Sequence, residues 1–309
     1  MKVINLIETR GLTKLYDGKR GIRDINLNIR KGSSFGFLGK NGSGKTTTIK
    51  ALIGLIKPDS GKVTVGGHDV LTDGDSVRKI TGYLPESFGL YDDMTAYELL
   101  DYTGKLYRIS SGERDSRINR LLREFELDDV RSTKSGSFSK GMRQKLGFAR
   151  ALINDPDVLF LDEPTSGLDP QAARQIEDII NGLKKGGKTL FITSHLLHEV
   201  EKTCDDVAIL KDGVIRASGS ISELKGRYAS PELFIRVKCP EDASRAVLAI
   251  TSLGMGEVEA LDEIVSIKTG DPDRIAPAVN KCLATNDIPV VEMKRIEPDL
   301  EEVYFKVME

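Results

Sequence analysis

The 309-residue sequence contains no apolar run approaching the ~18 residues that a membrane span requires. Its opening, Met1-Lys2-Val3-Ile4-Asn5, does not lead into the long apolar core of a secretory leader. The expected location is therefore the cytosol. Cysteine is scarce. Cys204, Cys239 and Cys282 lie far apart and make no metal-binding spacing, so they are expected to be isolated buried thiols. An excess of either charge is also missing. The formal net charge of −2 argues against a general nucleic-acid binder. What imbalance exists is uneven: residues 226–309 hold 10 Lys/Arg against 16 Asp/Glu, a net −6, while residues 1–225 carry net +4. The shift predicts a domain boundary near Gly226, with Lys225 to Ser230 as the linker.

The rest of the chain is organised around Gly39-Lys40-Asn41-Gly42-Ser43-Gly44-Lys45-Thr46-Thr47. This stretch follows a short apolar run, Phe35 to Leu38, and precedes Ile49, Leu52, Ile53 and Ile56 at helix spacing. Strand, glycine-rich turn and helix form the setting of a phosphate-binding loop. Glycines let backbone N–H groups converge on an anion, and the helix start adds the positive end of its dipole. Lys45 is expected to charge-pair with the β- and γ-phosphates of a bound nucleotide, and the Thr46 hydroxyl to ligate Mg²⁺.

Around this loop, residues 1–225 read as a parallel α/β core. Val3 to Leu15 reads as strand with a turn, Tyr16 ends it, and Ile22 to Ile29 alternates like a half-buried strand. Lys62 to Val65 with Gly66-Gly67 reads as a hairpin, and Ile80 to Leu84 as a short strand. An inserted helical block, about 87–153, is marked by the capping box Thr95-Ala96-Tyr97-Glu98 and by a helix beginning at Ser139. Val158 to Leu161 and Thr189 to Thr193 are too continuously apolar to be half exposed, which suits the middle of a parallel sheet. Asp169-Pro170 opens a helix with an N-cap and an N1 proline.

Residues 226–309 read as strand–helix–strand–strand–helix–strand, the ferredoxin-like order, with strands expected at Glu232–Lys238, Glu257–Leu261, Ile264–Lys268 and Ile288–Lys294.

Asp162 and Glu163 close the apolar strand at 158–161, at the edge where α/β sheets place ligands. An Asp there suits Mg²⁺, and the adjacent Glu can take a proton from an attacking water. A surface Asp-Glu pair is the simpler explanation of these two alone, and Lys45 and Thr46 weigh against it.

Three further stretches carry a family resemblance. Phe138-Ser139-Lys140-Gly141-Met142-Arg143-Gln144 resembles the LSGGQ signature of ATP-binding-cassette (ABC) ATPases. Pro164-Thr165-Ser166-Gly167-Leu168-Asp169-Pro170 resembles their D-loop, and Thr193-Ser194-His195 their switch histidine. The resemblance covers roughly residues 3–225. It implies two cassettes packed head to tail with two ATP molecules between them. Lys45, Thr46, Asp162, Glu163 and His195 of one subunit would then face Ser139 and Gly141 of the other. It also implies that His195 meets the γ-phosphate and that Tyr16 stacks on adenine.

The family's usual glutamine is replaced by Glu86, still a possible Mg²⁺ or water ligand. The signature has Lys140 for its first glycine and Met142 for its glutamine. With the ending Leu300-Glu301-Glu302-Val303-Tyr304-Phe305, these departures resemble the branch that pairs with separate six-helix permeases and exports drugs, sodium, lipids or polysaccharides. The expected protein is thus an exporter ATPase bound to an integral-membrane permease, self-paired or paired with another cassette, on the inner face of the membrane. The alternatives are a soluble ABC ATPase with a non-membrane partner, or a module that holds ATP without turnover.

Overall fold

The computed structural model describes residues 4–87 and 89–309, so Val3 and one residue of the expected helical block, Phe88, lie outside the described residues. The chain divides into two compact units, the first closing at Ile221 and the second being Ser222–Glu309.

The first unit opens with β1 (Asn5–Tyr16) and β2 (Arg20–Arg30). The expected turn inside β1 is instead a set of register shifts, one between Thr9 and Leu12, where Gly11 takes φ 63°. Then come β3 (Ser34–Leu38), α1 (Lys45–Leu52), β4 (Ser60–Val65) and β5 (His68–Asp69). A helix without an expectation behind it, α2 (Gly74–Ile80), takes Ile80 from the following strand, β6 (Thr81–Leu84). Asp73 caps α2 by accepting from Ser76 N, which explains the helix start.

The helical block holds α3 (Ala96–Leu106), α4 (Ser111–Glu124) and α5 (Lys140–Leu152). It is followed by β7 (Val158–Asp162), α6 (Pro170–Lys185), β8 (Thr189–Ser194), α7 (Leu197–Thr203), β9 (Asp206–Lys211) and β10 (Val214–Ser220).

Two sheets result. One is antiparallel, in the order β2-β1-β4-β5; the other has six strands in the order β10-β9-β3-β8-β7-β6. Parallel pairing runs from β9 through β3, β8 and β7 to β6. Every residue of β3, β7 and β8 is buried, as continuous apolar strands demand. Phe191 at their centre lies 5.4 Å from Phe37 and 5.6 Å from Phe160, ring centre to ring centre. Each such buried ring stabilises the sheet by ~1.5–3 kcal/mol. Together they pack across the middle of three adjacent strands, with Phe160 and Phe191 paired in register.

The junction helix α8 (Ile221–Tyr228) spans both the division between units and the expected boundary at 225/226, so part of the expected linker is helical. The second unit contains β11 (Glu232–Val237), α9 (Pro240–Thr251), β12 (Glu257–Leu261), β13 (Ile264–Lys268), α10 (Pro272–Thr285), β14 (Val290–Ile296) and α11 (Leu300–Met308). Its antiparallel sheet has the order β12-β13-β11-β14, the ferredoxin-like arrangement. The core of this sheet comes from its own residues, among them Leu233, Ile235, Val265, Ile267, Val279 and Leu283. The cysteines are not alike: Cys204 is buried, and burial pushes its thiol up to about 11, while Cys239 and Cys282 are only partly covered.

Candidate active site

The strand order explains why distant residues meet. β3, β8 and β7 are neighbours and run parallel, so the loops leaving their C-terminal ends emerge side by side. After β3 comes the glycine-rich loop, after β8 comes His195, and after β7 comes Glu163. β6, on the far side of β7, delivers Glu86 to the same edge.

The loop enters α1 through Gly44, which sits at φ 112°, outside the range of ordinary L-residues. Gly39 is required for a different reason. A Cβ there would come 2.4 Å from Ser43 Oγ and 2.7 Å from the Leu210 carbonyl oxygen. Lys45, the first residue of α1, is buried; its ammonium donates to Gly39 O at 2.7 Å and lies 2.9 Å from Glu163 Oε1.

The acidic pair splits between two tasks. Asp162 is the last residue of β7. Its Oδ2 accepts from Thr46 Oγ1 at 2.9 Å and its Oδ1 from Thr193 Oγ1 at 2.5 Å. Glu163 leaves the strand in the left-handed region, φ 51°, a conformation that costs a non-glycine residue ~1–2 kcal/mol. This turn, rather than the strand's pleat, sends its carboxylate toward Lys45 and His195. His195 Nδ1 lies 2.7 Å from Glu163 Oε2. The Glu163 N–H is anchored on β8, donating to the carbonyl and hydroxyl oxygens of Thr193, each at 3.1 Å.

A cleft of about 320 Å³ lies in front of this cluster, with Tyr16, Arg20, Glu86, Lys45, Thr46 and Glu163 among its walls. Asn41, Gly42, Gly44 and Thr47 complete the phosphate-loop side. Tyr16 is 44% exposed, and the Lys14 ammonium lies 6.0 Å from its ring centre. Thr46 and Asp162 offer hard oxygen donors that converge at one point, a set that fits Mg²⁺.

Ser139 and Gly141 are elsewhere. Ser139 caps α5, accepting from Met142 N at 3.3 Å, and both residues line a second cavity with Gly167, Leu168 and Asp169. They do not enter the Lys45 cleft of their own chain.

Several residues at the site make contacts that their places in the sequence did not signal. Thr193 holds both acidic residues at once, but its position before Ser194-His195 carried no separate signal. Tyr83, on β6, has its phenol pushed well above the usual range by burial and then by the Asp162 charge. Gln144, buried on α5, donates from Nε2 to the Pro164 carbonyl oxygen just past Glu163. Arg20 lines the same cleft as the phosphate loop. It could have been found from its place across the turn from Tyr16, with which it pairs in register.

A parallel sheet feeding a glycine loop, an acidic strand end and a histidine at one edge defines a P-loop ATPase. Residues 22–166 match the ABC transporter family. Over 305 residues the chain is 30% identical to the linearmycin resistance ATP-binding protein LnrL of Bacillus subtilis, covering 98% of each chain. It is 32% identical over 307 residues to the bacitracin transport ATP-binding protein BcrA of Bacillus licheniformis, covering 98% of this chain and 97% of that one. A solved dimeric structure of an ATP-binding cassette in a post-hydrolysis state, bound to ADP and Pi, superposes with a TM-score of 0.62 at 28% identity, covering 69% of this chain and 98% of that chain. The chain belongs to the ABC transporter ATP-binding proteins, and it is an ATP-binding, ATP-hydrolysing cassette. Among the described residues no helix is long and apolar enough to cross a membrane.

Proposed function

We propose that this protein is the energy-coupling subunit of an ABC exporter, working as a head-to-tail dimer beneath a separately encoded integral-membrane permease. The observation that carries the reading is the separation of the two half-sites. Lys45, Thr46, Asp162, Glu163 and His195 converge at one sheet edge, while Ser139 and Gly141 line a different cavity. A second copy turned end for end brings the signature of one chain to the phosphate loop of the other. In this arrangement Tyr16 stacks on adenine and residues 39–47 cradle the phosphates. Lys45 pairs with the β- and γ-phosphates, and the amides at the start of α5 reach the γ-phosphate from the partner.

Thr46 and Asp162 hold Mg²⁺, with Glu86 as a further ligand directly or through water. When bound, the ion supplies neutralisation of the β/γ-phosphate charge. Glu163 accepts the proton of the attacking water. His195, whose Nδ1 lies 2.7 Å from Glu163 Oε2, orients that water and the γ-phosphate. Residues 1–225 form the cassette in this reading, residues 87–153 its helical subdomain, and 226–309 an accessory ferredoxin-like domain. The permease contact lies near Glu86 to Tyr102, placing the protein on the cytoplasmic face of the membrane. Export is the direction favoured by relatives named for resistance to linearmycin and to daunorubicin/doxorubicin.

Glu163→Gln keeps size and polarity but cannot accept the proton. Its turnover is expected to fall by ~10²–10⁴, with ATP binding retained and an ATP-bound dimer accumulating in sedimentation velocity. Parent turnover should stop in EDTA and return with Mg²⁺. Hydrolysis at the parent rate by the Gln variant would remove Glu163 from the role of base.

A further inference from the structure

Glu163 and His195 meet through a single side-chain contact of 2.7 Å, and the His195 side chain is 42% exposed. One contact to a half-exposed ring does not fix its orientation. A second pair of side chains joins the same two loops. Thr165 stands two residues beyond Glu163, and Glu199 four residues beyond His195, on the inner side of α7. The Thr165 hydroxyl donates to Glu199 Oε2, with Thr165 only 4% and Glu199 only 8% exposed.

We propose that Thr165 and Glu199 form a positioning pair that holds the loop carrying Glu163 and the helix following His195 at one spacing, so that the carboxylate and the imidazole meet in the geometry that hydrolysis uses. The proposal rests on the reading of Glu163 and His195 given above.

Three observations support it. A buried carboxylate is costly to keep, and burial pushes the Glu199 carboxyl above its ordinary range, with the Thr165 hydrogen bond opposing that shift. Of the neighbouring groups, Lys202 lies 3.6 Å from Glu177, and the exposed His198 ring has a nitrogen within 4.8 Å of the Glu177 and Glu199 carboxylates, whereas the Thr165 hydroxyl makes a direct hydrogen bond to Glu199 from a buried position. Finally, α7 has only seven residues and cannot hold itself in place, because an isolated helix of that length is unstable in water. Its first turn needs an external tie, and the Thr165 bond reaches it from the opposite loop. Within the helix the Thr203 hydroxyl donates to the Glu199 carbonyl at 2.8 Å, which keeps the backbone of that residue in place while its side chain reaches out.

The test is steady-state kinetics of the full chain with Mg²⁺-ATP. Thr165→Val removes the donor and keeps the shape, and Glu199→Leu removes the acceptor. Displacing a reacting group by about an ångström costs up to ~10²-fold, so both variants are expected to lose ~10–100-fold in kcat with KM for ATP within twofold of the parent. Thr165→Ser and Glu199→Gln keep a donor and an acceptor, and each should recover most of the loss. The double variant should be no slower than the worse single variant, because the two side chains act as one tie. If Glu199→Leu does not fold, the Thr165 pair of variants decides alone.

A kcat within twofold of the parent for Thr165→Val overturns the proposal. So does a loss expressed in KM alone, or a double variant whose losses multiply. Parent-level turnover by Glu163→Gln would instead overturn the catalytic reading, whatever the Thr165 variants do.

Discussion

Thr193 shows how much of the catalytic edge depends on a residue with no chemistry of its own. From β8 its hydroxyl donates to Asp162 Oδ1 and accepts from the Glu163 N–H, while its carbonyl oxygen takes the same N–H. Asp162 and Thr193 are both essentially buried. Thr193→Val is close to isosteric but removes the hydroxyl. It leaves a buried carboxylate oxygen without its donor, which costs ~1–3 kcal/mol. Urea unfolding should show that loss as a lower midpoint at unchanged slope. Turnover should fall as well, since Asp162 and Glu163 lose a shared anchor. A variant as stable as the parent would mean that water replaces the hydroxyl. Lys45, Thr46, Asp162 and Glu163 could be named from the sequence because phosphate and Mg²⁺ chemistry calls for a residue type at a set place along the chain, and His195 because of the family resemblance; the structure brings the five side chains together. Thr193 and Glu199 could not, because their roles exist only across strands and between loops. No sequence spacing encodes a hydrogen bond from 193 to 162 or from 165 to 199.

At the scale of elements, local signals were read well wherever local chemistry decides. The capping box at α3 is complete: Thr95 Oγ1 accepts from Glu98 N at 3.2 Å, and Glu98 Oε2 accepts from Thr95 N at 2.8 Å. Those bonds hold the Glu98 carboxyl below its usual range, the Thr95 backbone donor first. Thr95→Ala should cost ~1 kcal/mol of unfolding free energy, with turnover per folded molecule unchanged. Thermal unfolding and an active-site-normalised rate check both halves. The continuous apolar strands at 158–161 and 189–193 were equally plain.

The misses have physical causes. β14 starts at Val290, not Ile288, because Pro289 has no N–H to give the ladder and Asp287 sits at φ 53°. β1 is not broken by a turn, because its irregularities are bulges absorbed into pairing with β2 and β4 on either side. The short helices α2 and α7 have too few turns for a periodic signal to stand out.

At the scale of the whole molecule, the second unit raises a different question. It carries no constellation resembling the first unit's, its sheet closes on a core of its own, and residues 226–309 are acidic by net −6. Such a unit should fold independently, and its strand order leaves β12 and β14 as edges. Edge strands are ready-made surfaces for pairing with a second copy. If the unit supports dimerisation, its removal should spare the chemistry and weaken assembly. Truncation after Tyr228 keeps α8 whole and removes the ferredoxin-like sheet. ATP affinity of the truncated chain should stay within about twofold of the parent, because the phosphate loop and its partners all lie before residue 200. Self-association should fall, and turnover should become steeply dependent on protein concentration. In the Glu163→Gln background with ATP present, sedimentation separates the two effects, because hydrolysis no longer dissolves the dimer. A lower dimer fraction for the truncated chain supports an assembly role for the second unit. Equal dimer fractions in the two chains would leave the unit with no part in holding the pair together.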